Sequence, residues 1–251
     1  MNLGAIAVGQ RPLGTVYYGY TAQRRRAVMP HEINHSYKAV IFDMDGTVLD
    51  TLSELTHSLN HIFRLHQMPE LPPQEVHLCL GYGYTGLIER AAPSVPADEQ
   101  ALLAEEFKQY YSAHCQGNTR PYDGVADMLA ALRNGGYKTA IVSNKGQGAV
   151  SLLHDEFFRQ LVDFSIGESP QYRKKPAPDM IEKALHLLNC RPEQAVYVGD
   201  SEVDKETADN AGLTSVLVTW GFRDSSFLES LHPDYLVHSC QELTHLFLPN
   251  D

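Results

Sequence analysis

The sequence predicts an α/β fold, a doubly wound and mainly parallel sheet with a helical segment inserted after its first strand. Three observations carry this expectation. From Tyr37 onward, short β-branched runs recur that are apolar on both faces, as parallel strands covered by helices are. Between them lie stretches with apolar residues at helical spacing, and strand alternating with helix defines the class. One interval of more than 80 residues, between the first run and the second, holds no convincing strand and reads as an insert.

Residues 1–36 precede this pattern and stand apart from it. Gly4, Gly9, Gly14 and Gly19 interrupt short apolar pieces, and "RRR" at 24–26 comes before the first acidic residue, Glu32. The segment is expected to be an extension, disordered or removed, with Met29 as an alternative start. An organelle presequence is the less favoured reading, since no Arg-studded amphipathic helix is evident.

The strand runs are "AVIFD" (39–43), "KTAIVSN" (138–144), "LVDFSIG" (161–167), "AVYVG" (195–199), "SVLVTW" (215–220) and "DYLVHS" (234–239). Helices are expected between them. In "GVADMLAALRNGG", Val125, Met128, Leu129 and Leu132 form one stripe, and Gly135 and Gly136 stop it. In "PDMIEKALHLLN", Met180, Ile181, Ala184, Leu185 and Leu188 repeat the device. The core is therefore assigned to residues 37–50 and 119–251, and residues 51–118 to a helical cap. Within the cap, Leu52, Leu55, Leu59, Ile62 and Phe63 share one helical face, and Leu102, Leu103, Phe107, Tyr110 and Tyr111 share another. A cap leaving the carboxyl end of the first strand lies over the place where open α/β sheets bind ligands.

Composition narrows the partners. The formal charge of −11, with no block of five like charges, argues against nucleic acid or an anionic membrane surface and favours a small molecule. Cys79, Cys115, Cys190 and Cys240 form no C-x-x-C pair, so neither a disulfide framework nor a zinc site is indicated, and they read as reduced cytoplasmic thiols. No apolar run approaches the length of a membrane span. The chain is expected to act as a monomer or a homodimer.

Four short motifs carry the chemistry. In "FDMDGT" the first strand ends in Asp43 and Asp45, which strand alternation would turn toward one crevice, with Gly46 allowing a sharp exit before Thr47. Asp-Gly alone is also a common turn pair. In "YVGDSEVD" a second apolar strand ends in Asp200, with Asp204 four residues on. Two strands ending in the same acidic way bring four carboxylates to one sheet edge, and oxygen ligands at that density suit Mg²⁺. "IVSNK" adds Ser143, Asn144 and Lys145, and "YRKKPAPD" adds Lys174 and Lys175 before Pro176. Hydroxyl, lysine and Mg²⁺ together make a receptor for a phosphate.

With these motifs in this order, residues 38–247 resemble the haloacid dehalogenase-like hydrolase superfamily, in particular its phosphoglycolate phosphatase-like members with a Rossmann-like core and helical cap. The resemblance implies a Mg²⁺-dependent phosphatase acting on a small phosphorylated metabolite, with 2-phosphoglycolate the first candidate and pyrophosphatase, nucleotidase and sugar phosphomutase as alternatives. It implies that Asp43 is the nucleophile forming an aspartyl-phosphate and that Asp45 is the general acid and then base. Thr47, Ser143 and Asn144 would orient Asp45 or hold the phosphoryl group. Lys175 would tie nucleophile to phosphate, with Lys174 as the fallback. Asp43, the backbone carbonyl of Asp45 and Asp200 would ligate the metal, with Asp204 in support. Asp45 disfavours dehalogenase chemistry, and Thr47 favours hydrolysis over mutase transfer.

Specificity is expected from the cap, where "LGYGYTGLIER" (80–90) is the loop best placed to reach the site through Gly81, Gly83 and Tyr82 or Tyr84. Residues 51–118 carry only Arg64, Arg90 and Lys108 against eight acidic residues, so the cap is no general anion trap, and Arg90 is the candidate for a substrate carboxylate. His57 and His61 are expected at the surface or between helices.

Overall fold

A computed structural model describes residues 37–248, so the calls on residues 1–36 lie outside the described residues. In chain order the elements begin with β1 (Ala39–Phe42), β2 (Leu49–Asp50), α1 (Leu52–Leu65), α2 (Pro73–Val76), α3 (Gly83–Ala91), α4 (Ala97–His114) and β3 (Arg120–Pro121). There follow α5 (Val125–Asn134), β4 (Lys138–Gly146), α6 (Gln147–Leu153), β5 (Phe164–Glu168), α7 (Asp179–Leu188), β6 (Ala195–Gly199), α8 (Glu202–Ala211), β7 (Thr214–Val218), α9 (Ser225–Ser230), β8 (Tyr235–Val237) and α10 (Cys240–Phe247).

Six strands form a parallel sheet in the order β5-β4-β1-β6-β7-β8. The period of two along each strand divides its side chains between two apolar layers. Val40, Phe42, Ile141, Val196 and Val198 enter one cluster, which continues into α5, α10 and the helices of the insert. Ala39, Ile41, Ala140, Val142, Ala195 and Tyr197 enter the other, closed by Met180, Ile181, Ala184, Leu185 and Leu188 of α7 and by Ala208 of α8. Burial on both faces is why these strands read as continuous apolar runs. The strand order reverses around β1, so the carboxyl ends of β4, β1 and β6 open into one crevice.

The insert is helical as expected, but its connections are not plain loops. Antiparallel β2 and β3 pair Leu49 with Pro121 and Asp50 with Arg120, binding the outgoing chain to the returning chain. Two-residue strands carry no periodic signal, so sequence reading missed them. Buried Glu54 adds a second tie: its Oε2 accepts from the Asn118 backbone N–H at 2.8 Å and from Asn118 Nδ2 at 2.9 Å. Leu103, Phe107 and Tyr111 are buried, whereas Leu102 is 55% exposed and is not part of the inner face. Leu102 sits one residue off the 3.6-residue stripe that the other three define. His57 is exposed, and His61 stacks on Tyr110 with ring centroids 3.9 Å apart. β5 begins later than the run at 161–167 suggested, because Leu161 and Val162 donate back to the Phe158 carbonyl as a turn. Among the described residues no helix is long and apolar enough to cross a membrane.

Candidate active site

The first motif reaches the crevice by a route other than strand alternation. The Asp43 N–H donates to Val198 O at 2.8 Å, prolonging the ladder of β1, but the chain then winds around one carbonyl. Met44 O accepts from the N–H groups of Thr47, Val48 and Leu49, while Gly46 N–H donates to Leu49 O at 2.9 Å. Asp45 is thus set by a tight loop rather than by the pleat. Gly46 has φ +80°, and a Cβ there would meet Asp200 Oδ2 at 2.3 Å. The glycine both permits the left-handed turn and lets the two motifs touch.

Lys175 joins three partners at the floor of the crevice. Its buried Nζ lies 2.7 Å from Asp43 Oδ1, 2.8 Å from Asp204 Oδ1 and 2.8 Å from the Tyr197 hydroxyl, which engages all three ammonium protons. Burial opposes its charge, but Asp204 and Asp43 outweigh that cost and hold its pKa well above the ordinary lysine value. Lys174, by contrast, pairs with Glu168 at 3.1 Å near Gly83. Asn144 holds the Lys175 backbone and also donates to Gly81 O in the insert at 3.1 Å. Ser143 Oγ accepts from the Lys145 N–H at 3.2 Å. The Thr47 hydroxyl donates to Asp200 Oδ1 at 3.3 Å and not to Asp45.

The second acidic strand end is organised by α8. Ser201 and Asp204 form a reciprocal cap: Asp204 Oδ2 accepts from the Asp200 and Ser201 N–H groups at 3.1 Å each and from Ser201 Oγ at 2.7 Å. With Oδ1 taken by Lys175 and Tyr197, the Asp204 carboxylate is fully committed. Asp200 Oδ2 accepts from Phe222 N–H at 2.7 Å, and a Cβ on Gly221 would come within 2.4 Å of that same oxygen.

Asp43, Asp200 and Asp204 offer carboxylate oxygens within 4.8 Å of one another, all buried. Lys175 balances one of these three charges. Burial, foremost, and then Asp204 and Asp43 push the Asp200 carboxyl well above the ordinary range, and burial pushes Asp43 up to about 7 despite Lys175. Carboxylates so compressed fit a hard divalent cation. Since Asp204 spends its oxygens on protein donors, Asp43 and Asp200 are the side chains with ligating capacity to spare, and Asp204 fixes Lys175 and the turn around Asp200.

Sequence reading missed Arg223 altogether and named Lys145 and Tyr82 without their partners. Buried Lys145 donates to the Tyr111 hydroxyl at 2.7 Å and lies 3.2 Å from Asp45 Oδ1. Arg223, in the loop after β7, pairs with Glu202 through Nε at 2.8 Å and Nη2 at 2.9 Å and donates to the carbonyls of Leu80 and His77 in the insert. Tyr82 donates its hydroxyl to Glu202 at 3.0 Å. Tyr84 lines the cavity as foreseen, but Arg90 does not: its guanidinium sits 3.6 Å from the Tyr82 ring centroid and donates to Gly86 O.

An aspartate pair at the end of the central strand, a buried lysine on the first aspartate and an acidic cluster beside it define a hydrolase site of the phosphate-transferring kind. The haloacid dehalogenase-like hydrolase family matches residues 40–218, and the chain belongs to it. It is 32% identical to the phosphoglycolate phosphatase of Caulobacter vibrioides, over 83% of this chain and 89% of that protein. It is 27% identical to the pyrophosphatase PpaX of Halalkalibacterium halodurans, over 81% of this chain and 94% of that protein. A solved structure from Lactobacillus delbrueckii subsp. bulgaricus superposes with a TM-score of 0.81 at 34% identity, covering 85% of this chain and 99% of the other. The chain is an enzyme, a phosphatase of this family.

Proposed function

We propose that the protein is a cytoplasmic, Mg²⁺-dependent phosphatase that hydrolyses a small phosphorylated metabolite, 2-phosphoglycolate first, through an aspartyl-phosphate at Asp43. The observation that carries this is the 2.7 Å pairing of Asp43 with Lys175 beside the acidic cluster. A carboxylate so placed attacks phosphorus while the lysine neutralises the phosphoryl oxygens. The bond from phosphorus to the leaving oxygen breaks, and Asp45 supplies the proton that this oxygen needs. Asp45 then takes a proton from water, whose oxygen attacks phosphorus and frees Asp43. Asp43, the Asp45 carbonyl and Asp200 would hold Mg²⁺, with Asp204 in support. When bound, the ion offsets negative charge on the phosphoryl group. Ser143 and Thr47 are assigned to the phosphoryl pocket and its approach.

The cavity, lined from both the core and the insert, supports a small substrate: the space open to the centre of a water-sized sphere is about 40 Å³. We assign residues 51–118 the part of a cap that closes over this space. Inorganic pyrophosphate is the second reading, favoured by the PpaX relative and by its equally small size. The test is a phosphate-release screen over phosphorylated metabolites with and without Mg²⁺. Release from 2-phosphoglycolate that disappears with chelator and in Asp43→Asn is expected, and inactivity toward every compound would refute the proposal.

A further inference from the structure

Two donors in the cavity carry no role in the phosphatase reading above. Lys145 is 3% exposed, and of its three ammonium protons Tyr111 accepts one. The ammonium also stands 4.0 Å from the Tyr111 ring centroid, so this insert residue fixes its position. Asp45 Oδ1 lies 3.2 Å away but is not aligned as a hydrogen-bond acceptor, leaving donor capacity turned to the cavity. Tyr84, from the start of α3, is 6% exposed, and its hydroxyl finds no acceptor. A buried donor without an acceptor is costly, and it is expected to be satisfied by what enters the space.

Their position says which part of the substrate they meet. Lys175 and Asp43 mark the phosphoryl end, while Lys145 adjoins Asp45, the residue assigned to the leaving oxygen. Both donors line the same small cavity. Of the other cations there, Lys175 stands at the phosphoryl end beside Asp43, and Arg223 is held by two aligned bonds to Glu202, whereas the contact of Lys145 with Asp45 is single and not aligned. We propose that Lys145 and Tyr84 form the subsite that reads a second anionic oxygen on the leaving portion of the substrate, either a carboxylate or a phosphoryl oxygen. The subsite rests on the phosphatase reading above and names its substrate class: two anionic groups joined by a very short link.

The experiment compares kcat/KM for 2-phosphoglycolate, inorganic pyrophosphate and ethyl phosphate, the last having the shape of phosphoglycolate without its carboxylate. The wild type is expected to prefer at least one doubly anionic substrate. Lys145→Met should cut that preference about 100-fold, Tyr84→Phe about 10-fold, and Lys145→Arg should retain most of it, as loss of a charged or a neutral hydrogen bond predicts. A preference lost for phosphoglycolate identifies a carboxylate subsite, and one lost for pyrophosphate a phosphoryl subsite. Losses equal on all three substrates, or an undiminished preference, would overturn the subsite while leaving the phosphatase intact. A wild type inert on all three overturns both. Should Lys145→Met not fold, the Tyr84→Phe ratio decides.

Discussion

Asn144 grips Lys175 from both sides: its Oδ1 accepts from the Lys175 N–H at 2.7 Å, and its Nδ2 donates to the Lys175 carbonyl at 3.0 Å. A side-chain amide therefore substitutes for a backbone partner and sets the lysine that faces Asp43.

Asn144→Ala removes both bonds and leaves a buried N–H and C=O unpaired. We expect kcat/KM to fall about 10- to 100-fold and stability to fall by about 2–3 kcal/mol. Asn144→Asp, which keeps the acceptor and loses the donors, should lie between the variant and the wild type. Steady-state kinetics with chemical denaturation checks both, and an Asn144→Ala protein with wild-type turnover would refute the clamp.

Arg223 and Glu202 tie the core to the insert, since the arginine holds the Leu80 and His77 carbonyls while the glutamate receives the Tyr82 hydroxyl. Removing the guanidinium in Arg223→Met should raise KM about 10-fold and speed amide exchange in residues 77–83. Hydrogen exchange read by mass spectrometry provides the check. Unchanged protection of that loop would show that Arg223 does not hold it.

Asp43, pushed up to about 7 by burial, makes the metal-free protein sensitive to pH. The native state keeps a proton there that the unfolded chain, with its ordinary carboxyl, releases above about pH 4. The contribution of Asp43 to stability without metal is thus fully present below about pH 4 and is lost as pH rises through 7. Between pH 5 and 8 the melting temperature in chelator should fall by roughly 2–8 °C, for on the order of 1–2 kcal/mol. Added Mg²⁺ should raise it more at pH 8 than at pH 5, because cation and proton compete for the same oxygens. A melting temperature in chelator that climbs over this range would contradict the assignment.

Gly221→Ala tests the packing around Asp200. A methyl group there would lie 2.4 Å from Asp200 Cβ, Asp200 Oδ2 and Gly46 O. We expect destabilisation of about 1–3 kcal/mol and at least a tenfold higher Mg²⁺ requirement for activity. Titration of activity against Mg²⁺, beside a thermal melt, measures both, and a variant that needs no more Mg²⁺ than the wild type would show that Asp200 has room to move.

Much of the molecule was legible because its signals are local. "AVIFD" and "AVYVG" announce strands buried on both faces, and the acids that end them fall where the sheet must open. Of the two lysines before Pro176, Lys175 lies against Asp43 and Lys174 pairs with Glu168. What stayed hidden depends on approaches across long stretches of chain. Arg223 meets carbonyls 143 and 146 residues earlier, and no periodicity encodes that. Lys145 had a faint signal, a lysine directly after Ser143 and Asn144 at a strand end, but its meaning needed Tyr111 from α4. Leu102 misled because a helix of mixed composition permits more than one stripe, and the pairing of Asp43 with Asp45 misled in mechanism because the loop around Met44 O, not the pleat, aims the second acid.

The bonds by which Asn144 and Arg223 hold the insert all end on main-chain oxygens, those of Gly81, Leu80 and His77. Every residue type supplies such an oxygen. These ties are thereby indifferent to the side chains of His77 and Leu80, so those two positions can change without loosening the hold of Arg223 on the insert. A lineage built on this arrangement could vary those two side chains without first having to reinvent the grip of the core on the insert.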